Sequence, residues 1–326
     1  MKIPPTNPNL SRLILPGSSE ARLDQVDKIR YEMEERFHLY EEVRALIPSD
    51  RDALFKILWE AQSGKTDALQ AVYDLVFDEV PCGMEEFIES KRYLGLKNNI
   101  DVEKIEMLNL FDLPSTRKMW LGVGSGGGKS FVVSCAMARS VYRLTCLKRP
   151  DLFYMLGPGS KIAIINLSVS KEQARDVIFS EFMARIKDSP WFSHRYKAWS
   201  SRAKFPKQVW AFSGGSGAIA YFGYHTYMGS LDEVSWMLDR NDRSVAEELT
   251  DAVMKSLNTR FPRAHKLIEI SSLRSPDDYL YGQIERVREE GIEITSQMRR
   301  TPGSADSDPT ELLRRTGRIG SLGGVV

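Results

Sequence analysis

Cysteine is scarce. Cys82, Cys135 and Cys146 are the three, with no CxxC spacing and no histidine partner. That argues against a disulfide framework or a zinc site and fits reduced, buried thiols in a cytosolic protein. Histidine is as sparse: His38, His194, His225 and His265 are scattered, and core or surface roles are their default. No apolar run approaches the ~18 residues of a membrane span, and Met1-Lys-Ile-Pro-Pro-Thr-Asn-Pro8 lacks the apolar centre of a signal peptide. A charge excess of one sign is also missing. With 45 Lys and Arg against 44 Asp and Glu, the net charge is +1, so any nucleic-acid surface must be a local patch. What remains is ordinary globular composition, 42% hydrophobic and 27% charged, in a chain of 326 residues that can hold one large domain or two smaller ones.

The texture of the chain changes along its length. Residues 1–18 are rich in Pro, Asn and Ser and read as an extended arm. Residues 19–114 read as helical: Leu54, Ile57, Leu58 and Ala61 share one face, as do Leu69, Val72, Tyr73 and Val76. Pro81 breaks that run, and Val102, Ile105 and Leu108 to Leu110 predict another helix before Pro114. From residue 115 to 300 strands and helices alternate. Strands are predicted at 118–121, 161–168, 208–213, 218–224, 227–231, 266–271 and 292–297, and helices at 129–147, 171–187, 242–259 and 277–290. Short apolar strands separated by helices predict a largely parallel sheet covered on both faces. Residues 301–326, polar and Gly-rich, read as linker or disorder.

The most informative segment is Gly122-Val-Gly-Ser-Gly-Gly-Gly-Lys-Ser130, between the apolar strand Lys118-Met-Trp-Leu121 and a buried helix opening at Phe131-Val-Val-Ser-Cys-Ala-Met-Ala138. A phosphate cradle needs crowded backbone N–H groups, a helix N-terminus and a lysine that reaches the outer phosphates. All three are here, with Gly124, Ser125, Gly126, Gly127, Gly128, Lys129 and Ser130 as the binding residues. The pattern G-x-x-x-x-G-K-[ST] wants its first glycine at 123, where Val123 stands.

About a hundred residues on, Tyr227-Met-Gly-Ser-Leu-Asp-Glu-Val234 is a strand ending in two acids. In a nucleotide hydrolase Asp232 would hold Mg²⁺ together with the Ser130 hydroxyl, and Glu233 would polarise the attacking water. Gly229 and Ser230 weaken the apolar run. Lys266-Leu-Ile-Glu-Ile-Ser-Ser-Leu273 is a third strand, ending in the hydroxyls of Ser271 and Ser272. Gln62-Ser-Gly-Lys-Thr66 imitates a phosphate loop, but Trp59 stands where its first glycine belongs, and it reads as a corner between helices. Arg175, Arg202, Arg240, Arg243, Arg260 and Arg263 are arginines of which one could serve a transition state. Packing is the default for Trp191, Phe192 and Trp199.

These blocks together resemble the ATPase portion of the large terminase subunit of tailed bacteriophages. The resemblance spans residues 75 to 300 and adds Pro81-Cys-Gly-Met-Glu-Glu-Phe-Ile88, Tyr93-Leu-Gly95, Ile164-Ile-Asn-Leu-Ser-Val-Ser-Lys-Glu-Gln-Ala174, Ser189-Pro-Trp-Phe192, Leu231-Asp-Glu-Val-Ser-Trp236 and Arg260-Phe261. It implies an α/β P-loop NTPase fold of ASCE type, with a mostly parallel sheet flanked by helices and an N-terminal helical region. It implies ATP and Mg²⁺ as cofactors, Lys129 on the phosphates, Asp232 on magnesium and Glu233 as catalytic carboxylate. Ser271 and Ser272 match its coupling motif, and Arg175 lies in the helix that carries functional arginines in some relatives. The implied partners are double-stranded DNA, a portal protein, the small terminase subunit and further copies in a ring, without membrane contact and in the host cytoplasm. The C-terminal nuclease domain usual in the family is not expected here, since Asp306, Asp308 and Glu311 lie in the linker-like stretch. A helicase-like remodelling ATPase and a catalytically silent binding remnant are the alternatives.

Overall fold

The computed structural model describes residues 76–113, 116–124, 126–215, 223–237, 245–262, 264–272 and 279–286, with 287–289 and 319–322 as backbone. The chain divides into two compact units, Met1–Val80 and Pro81–Val326, of which the second carries nearly all the described residues. The arm at 1–18, the pattern at 62–66, the strand expected at 292–297 and the acids at 306, 308 and 311 lie outside them.

The second unit begins with two helices, α1 (Met84–Glu89) and α2 (Val102–Asp112), the latter capped by Asp101, whose carboxylate accepts from the Lys104 amide at 2.9 Å. Then β1 (Lys118–Gly122) leads through the glycine loop into α3 (Lys129–Cys146), followed by the short α4 (Pro150–Phe153) and β2 (Ile162–Ser168). The next helix comes in three pieces: α5 (Lys171–Ala174), a π-helical turn (Arg175–Phe179) and α6 (Ser180–Asp188). A short hairpin, β3 (Lys197–Trp199) and β4 (Arg202–Lys204), precedes β5 (Val209–Gly215), β6 (His225–Asp232) and α7 (Ala246–Arg260). Then come β7 (Lys266–Ser271), α8 (Tyr279–Glu289) and β8 (Ile319–Leu322).

The eight strands among the described residues form one sheet in the order β3-β4-β5-β2-β6-β7-β1-β8. The five central strands, β5-β2-β6-β7-β1, run parallel, while β3, β4 and β8 are antiparallel additions at the two edges. Parallel pairing forces helical crossovers, so every residue of β2 is buried. The strand β7 is inserted between the loop strand β1 and the acid strand β6. The hairpin was not predicted. Within the stretch read as linker or disorder, the backbone at Ile319–Leu322 pairs antiparallel with β1, which corrects that reading at those four positions.

One face of the sheet carries a cluster in which Trp120, Ile165, Leu231 and Leu267 meet Val253 and Leu257 of α7 and Leu280 and Ile284 of α8. Each such side chain contributes about 1.5–3 kcal/mol on burial. The interruption at Gly229 has a packing reason: a Cβ there would stand 3.0 Å from Val253 Cγ1 and 3.2 Å from Leu267 Cδ1. Ser230 is equally placed, its hydroxyl donating to Asn166 Oδ1 at 2.8 Å, while the Asn166 amide donates to Ala174 O at 3.0 Å. That chain locks β6, β2 and α5 together.

On the other face α3 is buried nearly all round. Its hydroxyls are satisfied within the helix, Ser140 Oγ donating to Ala136 O at 2.9 Å and Thr145 Oγ1 to Val141 O at 2.7 Å. Tyr142 stacks on Phe87 at 4.8 Å and meets Tyr93 and Trp191 edge-on at 5.2 and 4.7 Å. The segments Pro81–Ile88, Tyr93–Gly95 and Ser189–Phe192 thus converge on one turn of α3, tied further by the Trp191 amide donating to Arg92 O at 3.0 Å. Trp191 and Phe192 are packing residues, as expected.

The buried Arg139 and the partly buried Arg143 of α3 both donate to Asp112 at the end of α2, at 2.8–3.1 Å. Burial pushes the Asp112 carboxyl up, but the two guanidiniums outweigh it and hold it well below the usual carboxylate range. A depressed folded value stabilises at neutral pH and is lost as pH falls below about 4, where the unfolded carboxylate protonates. Replacing Asp112 with Ala leaves two buried cations unpaired and should cost about 3 kcal/mol in urea unfolding at neutral pH. A loss below about 1 kcal/mol, the range of an exposed pair, would contradict this anchor.

Candidate nucleotide site

The loop leaves β1 at Val123, whose amide donates to Ser271 O at 3.2 Å and whose carbonyl accepts from Lys129 Nζ at 2.9 Å. Val123 keeps out of the left-handed backbone region, so a β-branched residue is free of strain there. Its side chain fills the space beside Gly127, where an added Cβ would collide with it. Gly126 and Gly128 take φ of +77° and +84°, which glycine alone adopts at little cost. The departure from the expected pattern is therefore a matter of packing, and the following turn, closed by the Gly127 amide on Gly124 O at 3.0 Å, is intact.

Gly128 is the N-cap of α3, and no side chain caps that end. No acid stands in the first turn either. An 18-residue helix thus presents its N-terminal amides and positive dipole end to the loop. Ser130 is its second residue. Ser125 lies outside the described residues.

Lys129 is the meeting point. Its Nζ donates to Ser272 Oγ at 2.7 Å and lies 3.5 Å from Glu233 Oε1. Glu233 Oε2 accepts from Ser271 Oγ and from the Ser272 amide, both at 3.1 Å. The structure therefore brings together the lysine, the second acid and both hydroxyls of β7 that the sequence singled out. Glu233 holds φ +56° and ψ +45°, a left-handed conformation for a residue with a side chain. Such strain persists only where the surroundings fix it, here through Ser271 and Ser272.

Asp232 points into the buried side, 3% exposed, and accepts from Ser168 Oγ of β2 at 3.2 Å. Burial, then the neighbouring Glu233 charge, pushes its carboxyl up to about 6, with Ser168 and Lys129 acting against them. Ser168 was not assigned a role from sequence; its only signal is its place at the end of the strand beside the acid strand. Lys104 of α2 was missed as well. Its stem crowds Gly128, it is paired with Asp101, and its ammonium lies 5.7 Å from the Phe131 ring centre in the first turn of α3. Arg185 of α6 covers the same ring at 4.4 Å. Arg175 is not drawn in: it forms a two-pronged pair with its neighbour Asp176 at 2.6 and 2.8 Å on the π-helical turn. Arg202 and Arg260 sit on β4 and at the end of α7, and Arg240, Arg243 and Arg263 fall outside the described residues.

The donor set fits a polyphosphate and a hard cation. The loop and the first turn of α3 offer uncapped amides and no carboxylate, and Ser130 and Asp232 are the oxygen donors that could serve a magnesium ion beside phosphate. Among the described residues no group of three or more His, Cys, Asp or Glu could hold a metal ion.

A family model described as "Uncharacterized protein MJ0330, N-terminal P-loop domain" matches residues 55–298. The chain belongs to this family. The P-loop domain has the α/β fold of a mostly parallel sheet flanked by helices, as expected. No curated protein matches it. Among solved structures, the crystal structure of the HK97 bacteriophage large terminase is similar at a TM-score of 0.46 and 16% identity, over 64% of this chain and 41% of that one. Among the described residues no helix is long and apolar enough to cross a membrane.

A raised folded value means that ionised Asp232 weakens the fold at neutral pH, an effect that fades as pH falls from about 6 toward 4. In the metal-free P-loop domain, Asp232→Asn should therefore raise stability by roughly 2–3 kcal/mol near pH 7.5, shrinking toward zero near pH 4. Urea unfolding across that range checks it; a variant no more stable than the parent at the higher pH would contradict the burial argument.

Proposed function

We propose that this P-loop domain is the ATP-hydrolysing motor module of a terminase-type machine that drives double-stranded DNA into a procapsid. The convergence of Lys129, Glu233, Ser271 and Ser272 on one point carries the hydrolytic part of the reading. The packaging part is supported by the set of segments that resemble the terminase ATPase, three of which pack as a single aromatic cluster on α3.

The contact between Lys129 and Glu233 sets the two groups that a triphosphate would meet. Lys129 Nζ lies 3.5 Å from Glu233 and donates to Ser272 Oγ. A bound triphosphate competes for the Lys129 ammonium and so frees the Glu233 carboxylate to orient and polarise a water. Ser271 Oγ and the Ser272 amide keep that carboxylate aimed. Ser272 accepts from Lys129, so the end of β7 is tied to the group that would meet the terminal phosphate. A magnesium ion held by Ser130 and Asp232 would supply neutralising charge to the phosphate oxygens. DNA, a portal protein, the small terminase subunit and further copies of the chain in a ring are the proposed partners, in the host cytoplasm. Arg175 serves as an arginine finger in this reading only if its pair with Asp176 opens.

The steady-state ATPase rate tests the site. Lys129→Ala and Glu233→Gln should each lower it by about 10²-fold or more, and rates equal to the parent would reject the assignment. ATP-driven separation of a forked duplex would move the reading to a remodelling helicase. No rise in melting temperature with Mg-ATP would leave a silent binding protein.

A further inference from the structure

No Asp or Glu occurs between Asp188 and Asp232, while Arg195, Lys197, Arg202, Lys204 and Lys207 fall within that stretch. In a chain of net charge +1 this is strong local segregation. The structure gathers much of it on the edge hairpin and the adjoining β5. Register places Lys197 opposite Lys204 and Lys204 opposite Trp210 in one row, and Trp199 opposite Arg202 and Arg202 opposite Phe212 in the next. The alternate positions, Ala198, Ala203 and Ala211, face the other way, and Ala203 and Ala211 are fully buried there. One side of this three-stranded extension is thus alanine turned toward the protein, and the other is a chequer of cations and aromatic rings.

The ringed side continues the face that α7 and α8 cover over β6, β7 and β1. Out at the hairpin Lys197 and Arg202 are exposed, and Trp199 is 45% exposed. The rings lie nearly parallel, Trp199 on Trp210 at 6.1 Å and 14°, Trp210 on Phe212 at 5.8 Å and 4°. Arg202 stands over Trp199 at 4.9 Å, and Lys204 over Trp210 at 5.4 Å. Cation–π contact holds these charges in place without neutralising them. Directly opposed lysines in an antiparallel pair repel, and among the described residues no carboxylate forms an ion pair with Lys197, Arg202 or Lys204. A surface that accepts this repulsion in the free protein is complementary to a polyanion.

We propose that this face is a docking surface for the phosphate backbone of duplex DNA. Trp210 and Phe212 are stacked on one another and Arg202 stands over Trp199, so the surface presents cations more than free ring faces, which favours reading of backbone charge. The position is independent of the nucleotide site; the choice of duplex rests on the motor reading above. Binding there is salt-sensitive and indifferent to sequence.

The test is fluorescence anisotropy of labelled mixed-sequence duplex with the full chain and with the triple variant Lys197→Gln, Arg202→Gln, Lys204→Gln. The parent should bind duplex, and the variant should lose roughly tenfold or more in affinity, with a salt dependence shallower by about 2–3 in log–log slope. The single substitution Arg202→Glu should weaken binding in the same direction, which guards against a folding defect in the triple variant. Equal affinity in parent and variants, no duplex binding by the parent, or tighter binding of the same-length single strand would each overturn the proposal. Nucleotide-free binding separates the two readings: Lys129→Ala should still bind duplex, so loss of ATPase without loss of binding leaves this surface standing, and the reverse removes it alone.

Discussion

The ammonium of Lys129 holds the site together because three chain segments far apart in sequence end on it. Val123 reaches it from the loop, Glu233 from the end of β6 and Ser272 from the end of β7. These strands are neighbours only because β7 lies between the loop strand and the acid strand. Parallel pairing then sets all three carboxyl ends at one edge, where ligands of such sheets collect. Lys129 bears a charge that is matched by one carboxylate and one hydroxyl, and the proposed triphosphate would draw on the same ammonium.

That arrangement needs a rigid helix behind it. α3 cannot tilt freely, because Arg139 and Arg143 are fixed to Asp112 on one side and Tyr142 is wedged among Phe87, Tyr93 and Trp191 on the other. Burying two guanidiniums is costly unless both are paired, so the Asp112 contact is specific to one setting of α2 against α3. The same setting brings Lys104 beside Gly128. Positioning of the loop thus depends on charge pairing remote from it, while the unusual Val123 contributes its side chain as the wall of the cradle.

Much of this was legible in the residues. The glycine run, the Asp-Glu pair and the Ser-Ser pair each sit at a strand end, and period and spacing indicated an alternating, largely parallel sheet; that the ends meet was read from the motifs and the resemblance. The central strands are long and apolar enough to read. The hairpin is not: Lys197–Trp199 and Arg202–Lys204 are three residues each, too short to show an alternation, and the ring of Trp199 suggested packing although it is half exposed. Ser168 had only its place at a strand end as a signal and Lys104 had none, because their importance lies in which strand and helix fold beside the loop. The strand at Ile319–Leu322 sits in a Gly-rich stretch where composition points to linker, and only its pairing with β1 reveals it. Arg175 was picked for its helix, yet a carboxylate one residue away competes for it.

The central claim is that one triphosphate replaces the Lys129–Glu233 contact and faces both groups. A crystal structure of the chain with magnesium and a non-hydrolysable ATP analogue tests this most directly. The account predicts the Lys129 ammonium on the terminal phosphates and the Glu233 carboxylate released from it, still held by Ser271 and turned toward the outermost phosphate. Nucleotide bound elsewhere, with the lysine still resting on Ser272 and Glu233, would contradict it.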